Sequence, residues 1–304
     1  MPQIAAPSPP RTLAKDLASL AVCGLIWGST WRVIKLQIGV VPVAESVVYR
    51  FALASVLLFA LCAVTGRSVA LTRRQHLAAL AHGAAGFGLQ YALVYLAERT
   101  VASGVVAVIF AAAAFANLAL FRIAQGQRAP PLAWTGALLG LAGVAVMSMS
   151  ELSGPASPQG GAIGVALALC GVIASVFGNL FAARVQSAGV AIGPGTAWAM
   201  GYGAALLALA VLVTGQPWRF ELSARYVASL IYLAVLGSVT AFLVFYALAR
   251  RRGYSFAAYV AALTPPAAMA LSSLTESVRW GAGALAGLAL VLAGQALLIR
   301  GSRK

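Results

Sequence analysis

Ten long apolar runs constrain what this chain can fold into. A helix that crosses the hydrocarbon core of a bilayer needs roughly 20 apolar residues, and runs of about that length follow one another through the sequence. They cover residues 17–38, 44–64, 77–97, 102–121, 132–149, 162–182, 191–213, 226–249, 256–274 and 281–299. The runs are continuous and rich in Ala and Leu, which argues against alternating transmembrane β-strands. We therefore predict an all-α integral membrane protein with ten transmembrane helices.

The composition also favours lipid as the solvent. Hydrophobic residues make up 62% of the 304 residues and charged residues 9%, whereas soluble domains sit near 45–50% apolar and about 25% charged. The three cysteines lie inside apolar runs, and the chain has one Asp and two His. The chain therefore has too few of the residues that most hydrolases and metalloenzymes need, and we expect no enzyme activity, cofactor or metal. The net charge of +15 is spread between the runs, so we expect no nucleic-acid partner.

The basic residues predict the orientation of the helices. With both termini in the cytoplasm, 14 of the 21 Lys and Arg residues fall on the cytoplasmic side, which agrees with the usual excess of these residues there. We predict a multi-pass protein of the bacterial inner membrane with cytoplasmic N- and C-termini. Residues 1–15 are expected to form a short disordered tail. The run Arg250–Arg252 is predicted to hold a helix end at the anionic leaflet, with a regulatory or ligand patch as the alternative.

Two short matches indicate an internal duplication. Residues 20–26 recur as residues 167–173 with five of seven identities, and residues 136–142 recur as residues 283–289 with six of seven. Both pairs are separated by 147 residues. The glycines of the second pair lie within apolar helices, so they indicate close helix packing.

We therefore predict a first repeat over residues 17–150 and a second over residues 151–300, flanked by tails 1–16 and 301–304. A unit of five helices ends on the opposite side of the membrane from its start, so the second copy must be inverted. Inverted repeats are typical of secondary transporters, in which the substrate site lies near the midplane between the repeats.

Four short motifs lie within or at the ends of the apolar runs. They are Trp27-Gly28-Ser29-Thr30, Arg50-Phe51, Ala102-Ser103-Gly104 and Leu263-Thr264-Pro265-Pro266, followed by Glu276 and Gly283. Their order resembles the EamA-type transporters of the drug/metabolite transporter superfamily, a group that includes ten-helix exporters. The resemblance implies export of amino acids, other small metabolites or toxic compounds. The first repeat departs from the pattern, because the alanines of 111–114 replace a proline and Gln127 replaces a glutamate.

Polar side chains within the apolar runs are the candidates for substrate contact, because a transported solute needs polar groups at membrane depth. The predicted substrate-binding residues are Trp27, Ser29, Thr30, Gln90, Tyr91, Tyr95, Trp198, Tyr202, Thr240, Tyr259 and Thr264. Two aromatic pairs among them are spaced four residues apart and so share a helical face. Aromatic walls with a few hydroxyls or amides suit a small amphipathic solute. The alternative use of the aromatic residues is helix packing or anchoring at the headgroups.

A second set of residues has features of gates or coupling sites. It comprises Arg50, His82, Asn117, Asn179, Tyr246, Pro265 and Glu276. Pro265 and its neighbour predict a break in the ninth helix, with a packing kink as the alternative. Arg50 and Glu276 are predicted to pair as an outer gate, and Glu276 is either a proton carrier or a solvated loop acid. His82 titrates near neutral pH or serves only packing.

We interpret the chain as a secondary transporter that exports small metabolites, with amino acids or analogues favoured. It would act by alternating access around a cavity lined by helices 1, 3, 4, 6, 8 and 9. The alternatives are a transporter of drugs or lipid-linked sugars and, ranked lower, a membrane sensor or enzyme. The expected partners are a small-molecule substrate, membrane lipids and protons, and the expected state is a monomer or weak homodimer.

Overall fold

The fold is a bundle of ten long helices. A computed structural model describes residues 10–126, 129–152, 158–215, 217–257 and 259–301, and within these residues helices are the only regular elements. The helices are α1 (Pro10–Lys35), α2 (Val43–Val64), α3 (Arg73–Ala97), α4 (Ser103–Phe110 and Ala112–Gln125), α5 (Pro131–Leu152), α6 (Pro158–Ser187), α7 (Ile192–Val213), α8 (Ala224–Arg252), α9 (Val260–Thr275) and α10 (Ala282–Gly301). A short turn of helix, Tyr254–Ala257, joins α8 to α9.

The helix lengths agree with a membrane-spanning bundle. Helices α1 to α8 are each long and apolar enough to cross a bilayer, and α9 and α10 are shorter apolar helices. The predicted all-α membrane fold with about ten helices is thereby confirmed. One boundary differs, because α1 begins at Pro10, inside the segment expected to be a disordered tail. Proline suits the first position of a helix, where its missing N–H is not needed.

Successive helices run in opposite directions and connect at two faces of the bundle. At the distal face, where α1 ends, Lys35 meets Glu276 at the end of α9 and Glu276 meets Ser103 at the start of α4. At the proximal face, where α1 begins, Asp16 meets Arg251 near the end of α8. The two faces therefore carry separate sets of polar contacts, one at each end of the bundle.

Helices α5 and α10 pack through glycines. A Cβ atom added to Gly136 would lie 2.5 Å from the carbonyl oxygen of Gly294, and one added to Gly143 would lie 2.6 Å from that of Gly287. Contacts this close require both positions to lack a side chain. The contact positions rise along α5 as they fall along α10, so the helices are antiparallel. The predicted use of these glycines in close helix packing is confirmed.

Helices α3 and α8 each contain a π-helical segment, Gly83–Leu89 and Val235–Thr240. Such segments shift the hydrogen-bond register and often occur at functional sites. In α8 the carbonyl oxygen of Gly237 accepts a hydrogen bond from Trp27 Nε1 at 3.2 Å. The sequence analysis missed both segments, because a register shift of this kind leaves the apolar composition of a helix unchanged.

The proline pair does not break α9, contrary to the prediction. Val260–Thr275 is one continuous helix with both prolines inside it. Pro265 has no N–H to donate to the carbonyl of Ala261 four residues earlier. Gln295 Nε2 of α10 donates to that carbonyl instead, at 3.1 Å. A side chain from a neighbouring helix thus satisfies the freed backbone group, as membrane helices require.

Candidate substrate-binding site

A cavity of about 160 Å³ lies within the bundle. Its walls come from α1, α3, α4, α6, α8 and α9, together with Ala257 from the turn before α9. These are the six helices that the sequence predicted around a central cavity. The walls are mainly aromatic and aliphatic, with a few amide, hydroxyl and imidazole groups. Among the described lining residues there is no Asp, Glu, Lys or Arg.

Nine of the residues predicted from the sequence line this cavity. From the predicted substrate-binding set they are Trp27, Thr30, Gln90, Tyr91 and Thr264, and from the gating set they are His82, Asn117, Asn179 and Tyr246. Their roles remain predictions, but the structure brings their side chains to one enclosed space. Trp31, Phe110, Ser175, Phe242 and Phe245 also line the cavity and were not singled out.

Trp27 holds the α1 wall of the cavity in place. Its indole ring packs against the rings of Phe242 and Phe245, with centroids 5.1 Å apart in each case. The indole N–H is already engaged by Gly237 on the π segment of α8. Trp27 therefore offers an aromatic surface to a solute rather than a hydrogen-bond donor.

Other predicted substrate-binding residues are engaged elsewhere. The hydroxyls of Ser29 and Tyr232 lie 2.6 Å apart, and Tyr95 donates to Gln37 Oε1 at 2.8 Å. Tyr259 packs its ring on Phe256, and Thr240 does not line the cavity.

Trp198 and Tyr202 also lie away from the cavity. Trp198 Nε1 donates to the carbonyl of Val69 at 2.8 Å, and the Tyr202 hydroxyl lies 2.8 Å from His76 Nδ1. Their helix, α7, packs against α2 and α3 and contributes nothing to the cavity wall. The four-residue spacing correctly predicts that the two rings are neighbours, since they stack with centroids 5.6 Å apart. It does not predict which neighbouring helix they face.

The proximal part of the cavity contains a buried histidine. His82 Nε2 lies 3.0 Å from the hydroxyl of Tyr246. His82 Nδ1 and Asn117 Oδ1 are buried and have no hydrogen-bond partner among the described residues. These two atoms are therefore available to a polar solute or to water inside the cavity.

Arg50 lies directly behind the cavity wall and is fully buried. Its Nε donates to the hydroxyl of Ser238 at 3.0 Å, and its guanidinium carbon lies 4.5 Å from the centre of the Tyr91 ring. Nη1 and Nη2 have no hydrogen-bond partner within the described part of the chain.

The predicted pair of Arg50 with Glu276 does not form. Arg50 is seven residues into α2, about 10 Å along the helix axis from its start, whereas Glu276 follows the last residue of α9 at the distal face. Glu276 Oε2 lies 3.3 Å from Lys35 Nζ instead, and the carboxylate accepts a hydrogen bond from the Ser103 hydroxyl.

Glu98 belongs to the same distal cluster and was not predicted as a site residue. Its side chain is 1% exposed, and neither carboxylate oxygen has a hydrogen-bond partner among the described residues. Burial raises the pKa of Glu98 well above its ordinary value, with Lys35 opposing the shift and Glu276 adding to it. Burial also acts on Glu276, but the Ser103 hydrogen bond and the Lys35 ammonium outweigh it and lower the pKa of that carboxyl.

The proximal face has a simpler ionic contact. The buried carboxylate of Asp16 lies 3.1 Å from Arg251 Nη2 and 2.5 Å from Arg252 Nε. Two of the three arginines in the basic run therefore tie α8 to α1. The prediction that this run holds a helix end at the lipid headgroups stays a prediction.

Comparison with known proteins agrees with the fold and the motifs. The EamA-like transporter family matches residues 17–149. The uncharacterized inner membrane transporter YedA of Escherichia coli K12 is 29% identical over 266 residues, which cover 86% of this chain and 83% of YedA. YedA of E. coli O157:H7 gives the same values.

A protein of known crystal structure has a similar fold, with a TM-score of 0.72 and 17% identity over 95% of this chain and 98% of the other. At that identity the likeness concerns the fold alone. Gln127, the predicted departure from the family pattern, lies outside the described residues. The family match over residues 17–149, the similarity to YedA and the ten-helix fold together support an EamA-type membrane transporter of the drug/metabolite transporter superfamily rather than an enzyme.

Proposed function

We propose that this transporter exports small metabolites across the bacterial inner membrane, with amino acids or their analogues as the favoured class. The observation that carries the proposal is the enclosed cavity, in which aromatic walls surround a few unpaired polar atoms. Such a lining suits a small solute with an apolar part and one or two polar groups. A cationic drug is disfavoured, because no acidic residue is among the described lining residues.

The proposed mechanism is alternating access between two inverted five-helix units. The packing pattern supports this division, because α1 packs on α9 as α6 packs on α4, and α2 packs on α7. Both π segments lie in the third helix of their unit. Pairs of equivalent helices related in this way are expected when one unit is an inverted copy of the other.

The two polar clusters would act as the gates of this mechanism. If the termini are cytoplasmic, as the basic residues predict, the distal cluster faces the periplasm. Lys35 and Glu276 then close the outer side by joining the ends of α1 and α9. Asp16 with Arg251 and Arg252 holds α1 to α8 on the cytoplasmic side. Export requires these contacts to open in turn, so that the cavity never opens to both sides at once.

Glu98 is the proposed site of proton coupling. A buried acid that interacts with a lysine and a second acid can gain or lose a proton when the gate changes its access to water. Export driven by the proton gradient would require Glu98 to take up a proton from the periplasm when the distal side is open and to pass it towards the cytoplasm when that side is closed.

The proposal is tested by flux through the purified protein in liposomes. We would load a panel of radiolabelled amino acids and small amines, with and without an imposed pH gradient, and expect saturable flux for at least one class. Trp27→Ala should reduce that flux at least tenfold, because it removes the central aromatic wall. The matched control is Trp218→Ala, which removes a partly exposed indole outside the cavity. Absence of flux for every solute, from protein shown to be folded, would contradict the proposal.

A further inference from the structure

Arg50 carries a buried charge whose hydrogen-bond donors are only partly satisfied within the protein. Arginine stays protonated at any pH a cell experiences, and a buried charge is costly unless it is paired and hydrogen-bonded. Arg50 is 0% exposed, yet its one hydrogen bond among the described residues goes to the neutral hydroxyl of Ser238. Its two terminal nitrogens donate to nothing that the structure describes. The guanidinium is therefore a donor pair without an acceptor.

The surrounding charges do not supply that acceptor. Glu98 lies near enough to interact electrostatically with Arg50, but no hydrogen bond or ion pair joins the two among the described contacts. The hydroxyls of Tyr91 and Tyr95 interact with Arg50 electrostatically and as hydrogen-bond partners outside regular geometry, but they are neutral groups. Because no acid is found among the described lining residues, the cavity beside Arg50 has an excess of positive potential.

Gly237 determines how closely the cavity approaches Arg50. A Cβ atom at this position would lie 2.8 Å from Thr30 Cγ2 and 3.4 Å from Arg50 Nη2. Thr30 lines the cavity. Since glycine has no Cβ, Thr30 of the cavity wall and Arg50 Nη2 both pack closely against the backbone of α8 at this point.

Tyr91 contacts both the cavity and the guanidinium of Arg50. The ring lies against the guanidinium with 4.5 Å between the guanidinium carbon and the ring centre. An arginine stacked on an aromatic ring keeps its N–H groups in the plane of the guanidinium, where they still form hydrogen bonds. Tyr91 also lines the cavity, so a solute reaches the buried Nη1 and Nη2 atoms when a wall residue such as Tyr91 or Thr30 moves aside.

We infer that Arg50 is the anion-binding subsite of the cavity and that the transported solute carries a carboxylate. A guanidinium with both terminal nitrogens free matches the two oxygens of a carboxylate in a bidentate pair. The apolar part of the solute packs on Trp27 and on the aromatic wall of α8. The inference rests on the proposed function for the location of the site, and it adds the residue that recognises the carboxylate of the solute.

The test measures equilibrium binding to the full-length detergent-purified protein by calorimetry, so that it does not depend on transport. The probes are L-phenylalanine, 3-phenylpropionate, L-phenylalaninamide and 2-phenylethylamine, and the pair L-leucine and L-leucinamide. The first two probes and L-leucine have a carboxylate, and the other three lack it. We expect at least one carboxylate to bind tenfold or more tightly than its uncharged or amine counterpart.

Variants test whether that preference for carboxylates depends on Arg50. Arg50→Gln should weaken carboxylate binding at least tenfold and leave amide binding within twofold, and Arg50→Lys should lie between because it keeps the charge and loses the bidentate geometry. Arg99→Gln is the matched control, since it removes an exposed arginine at the distal end of α3. Thermal melting and gel filtration verify the fold of each variant. If Arg50→Gln does not fold, the wild-type preference and Arg50→Lys decide the question.

Three results would overturn the inference: equal or tighter binding of the amides and amines, binding of no carboxylate at all, or a preference that persists in folded Arg50→Gln. These results can be distinguished from a failure of the proposed transport function. Flux of amines or neutral solutes would preserve transport and remove the carboxylate subsite. Carboxylate binding that depends on Arg50, without flux of any solute, would preserve the subsite and remove transport.

Discussion

The two ends of α1 are held by ionic contacts of different kinds. At the proximal end one buried acid, Asp16, is shared by Arg251 and Arg252, so an excess of basic partners surrounds a single carboxylate. At the distal end Lys35 pairs with Glu276 and also acts electrostatically on Glu98, which Arg50 and Arg32 influence as well, so two acids lie near one ammonium. An acid held by two arginines has little reason to change its protonation state. Two acids that share one lysine change protonation readily, because either one can be neutralised by a proton.

From this difference we predict that the proposed distal gate responds more strongly to pH than the proposed proximal gate. A transporter that releases its solute to the periplasm needs one gate that senses the outside and one that stays closed until the solute has bound. The comparison gives four predictions, which begin with the proximal contact and end with the distal acids.

The largest effect is expected for Asp16→Asn. The substitution leaves two arginines facing a neutral amide, and removing one partner of a buried ionic contact typically costs 3–5 kcal/mol. Because Arg251 is 50% exposed, we expect a smaller loss of about 2–3 kcal/mol in the free energy of unfolding, measured by denaturant titration in detergent. Arg250→Gln, which changes an exposed arginine next to the pair, should cost less than about 0.5 kcal/mol. Equal losses in both variants would mean that the proximal contact contributes no more than a surface charge.

Lys35→Met should have an intermediate effect, at the distal gate. It removes the ammonium that pairs with Glu276 and that opposes the raised pKa of Glu98, at a cost of about 1–2 kcal/mol because Lys35 is 24% exposed. We also expect the distal side to open more often. A cysteine at position 30, introduced by Thr30→Cys in a chain whose three native cysteines are replaced by Ala, should react faster with an impermeant maleimide added from the distal side.

The matched control for Lys35→Met is Arg279→Gln, which removes an exposed positive charge near the same face. It should leave both the stability and the labelling rate unchanged. Faster labelling from the proximal side instead would reverse the assignment of the two gates.

The sequence predicts the bundle better than it predicts the site. The number and lengths of the helices follow from apolar runs, because the thickness of the bilayer fixes how many residues each span needs. Residues such as Trp27 and Tyr91 were predicted correctly to lie at the centre of the bundle, because depth along a helix follows from position in the run. Depth alone does not say which way a helix faces. Trp198 and Tyr202 have the right depth and spacing, yet they lie on a helix that contributes nothing to the cavity wall.

Contacts between distant helices are the part that the sequence does not reveal. Gln295 satisfies the carbonyl freed by Pro265 only because α10 lies beside α9. Glu98 immediately follows the last residue of α3, a position where a solvated acid is the ordinary expectation. Its burial depends on α1 and α9 covering it, and no local pattern encodes that arrangement.

Glu98→Gln should change the stability least near pH 5. At higher pH we expect it to raise the stability, whereas Asp16→Asn and Lys35→Met lower it. The pKa of Glu98 is raised in the folded protein, with burial as the main cause. Its contribution to stability is therefore fully present below its ordinary pKa and is lost as the pH rises through the raised value. Glutamine cannot ionise, so the variant should escape that loss. We expect the melting temperature of Glu98→Gln to match that of the wild type near pH 5 and to exceed it by a few degrees near pH 9.

Glu276→Gln, in the same cluster, should change the stability with a pH dependence opposite to that of Glu98→Gln. The pKa of Glu276 is lowered by Ser103 and Lys35 against the effect of burial, so its contribution to stability is present above its ordinary pKa and is lost as the pH falls through the lowered value. The variant should be less stable than the wild type at neutral pH, and the difference should shrink in acid. The distal gate is then strongest between the lowered pKa of Glu276 and the raised pKa of Glu98. If the two variants shifted the pH profile of stability in the same direction, the two acids would not have opposite roles beside Lys35. The contrast with the proximal gate would then be wrong.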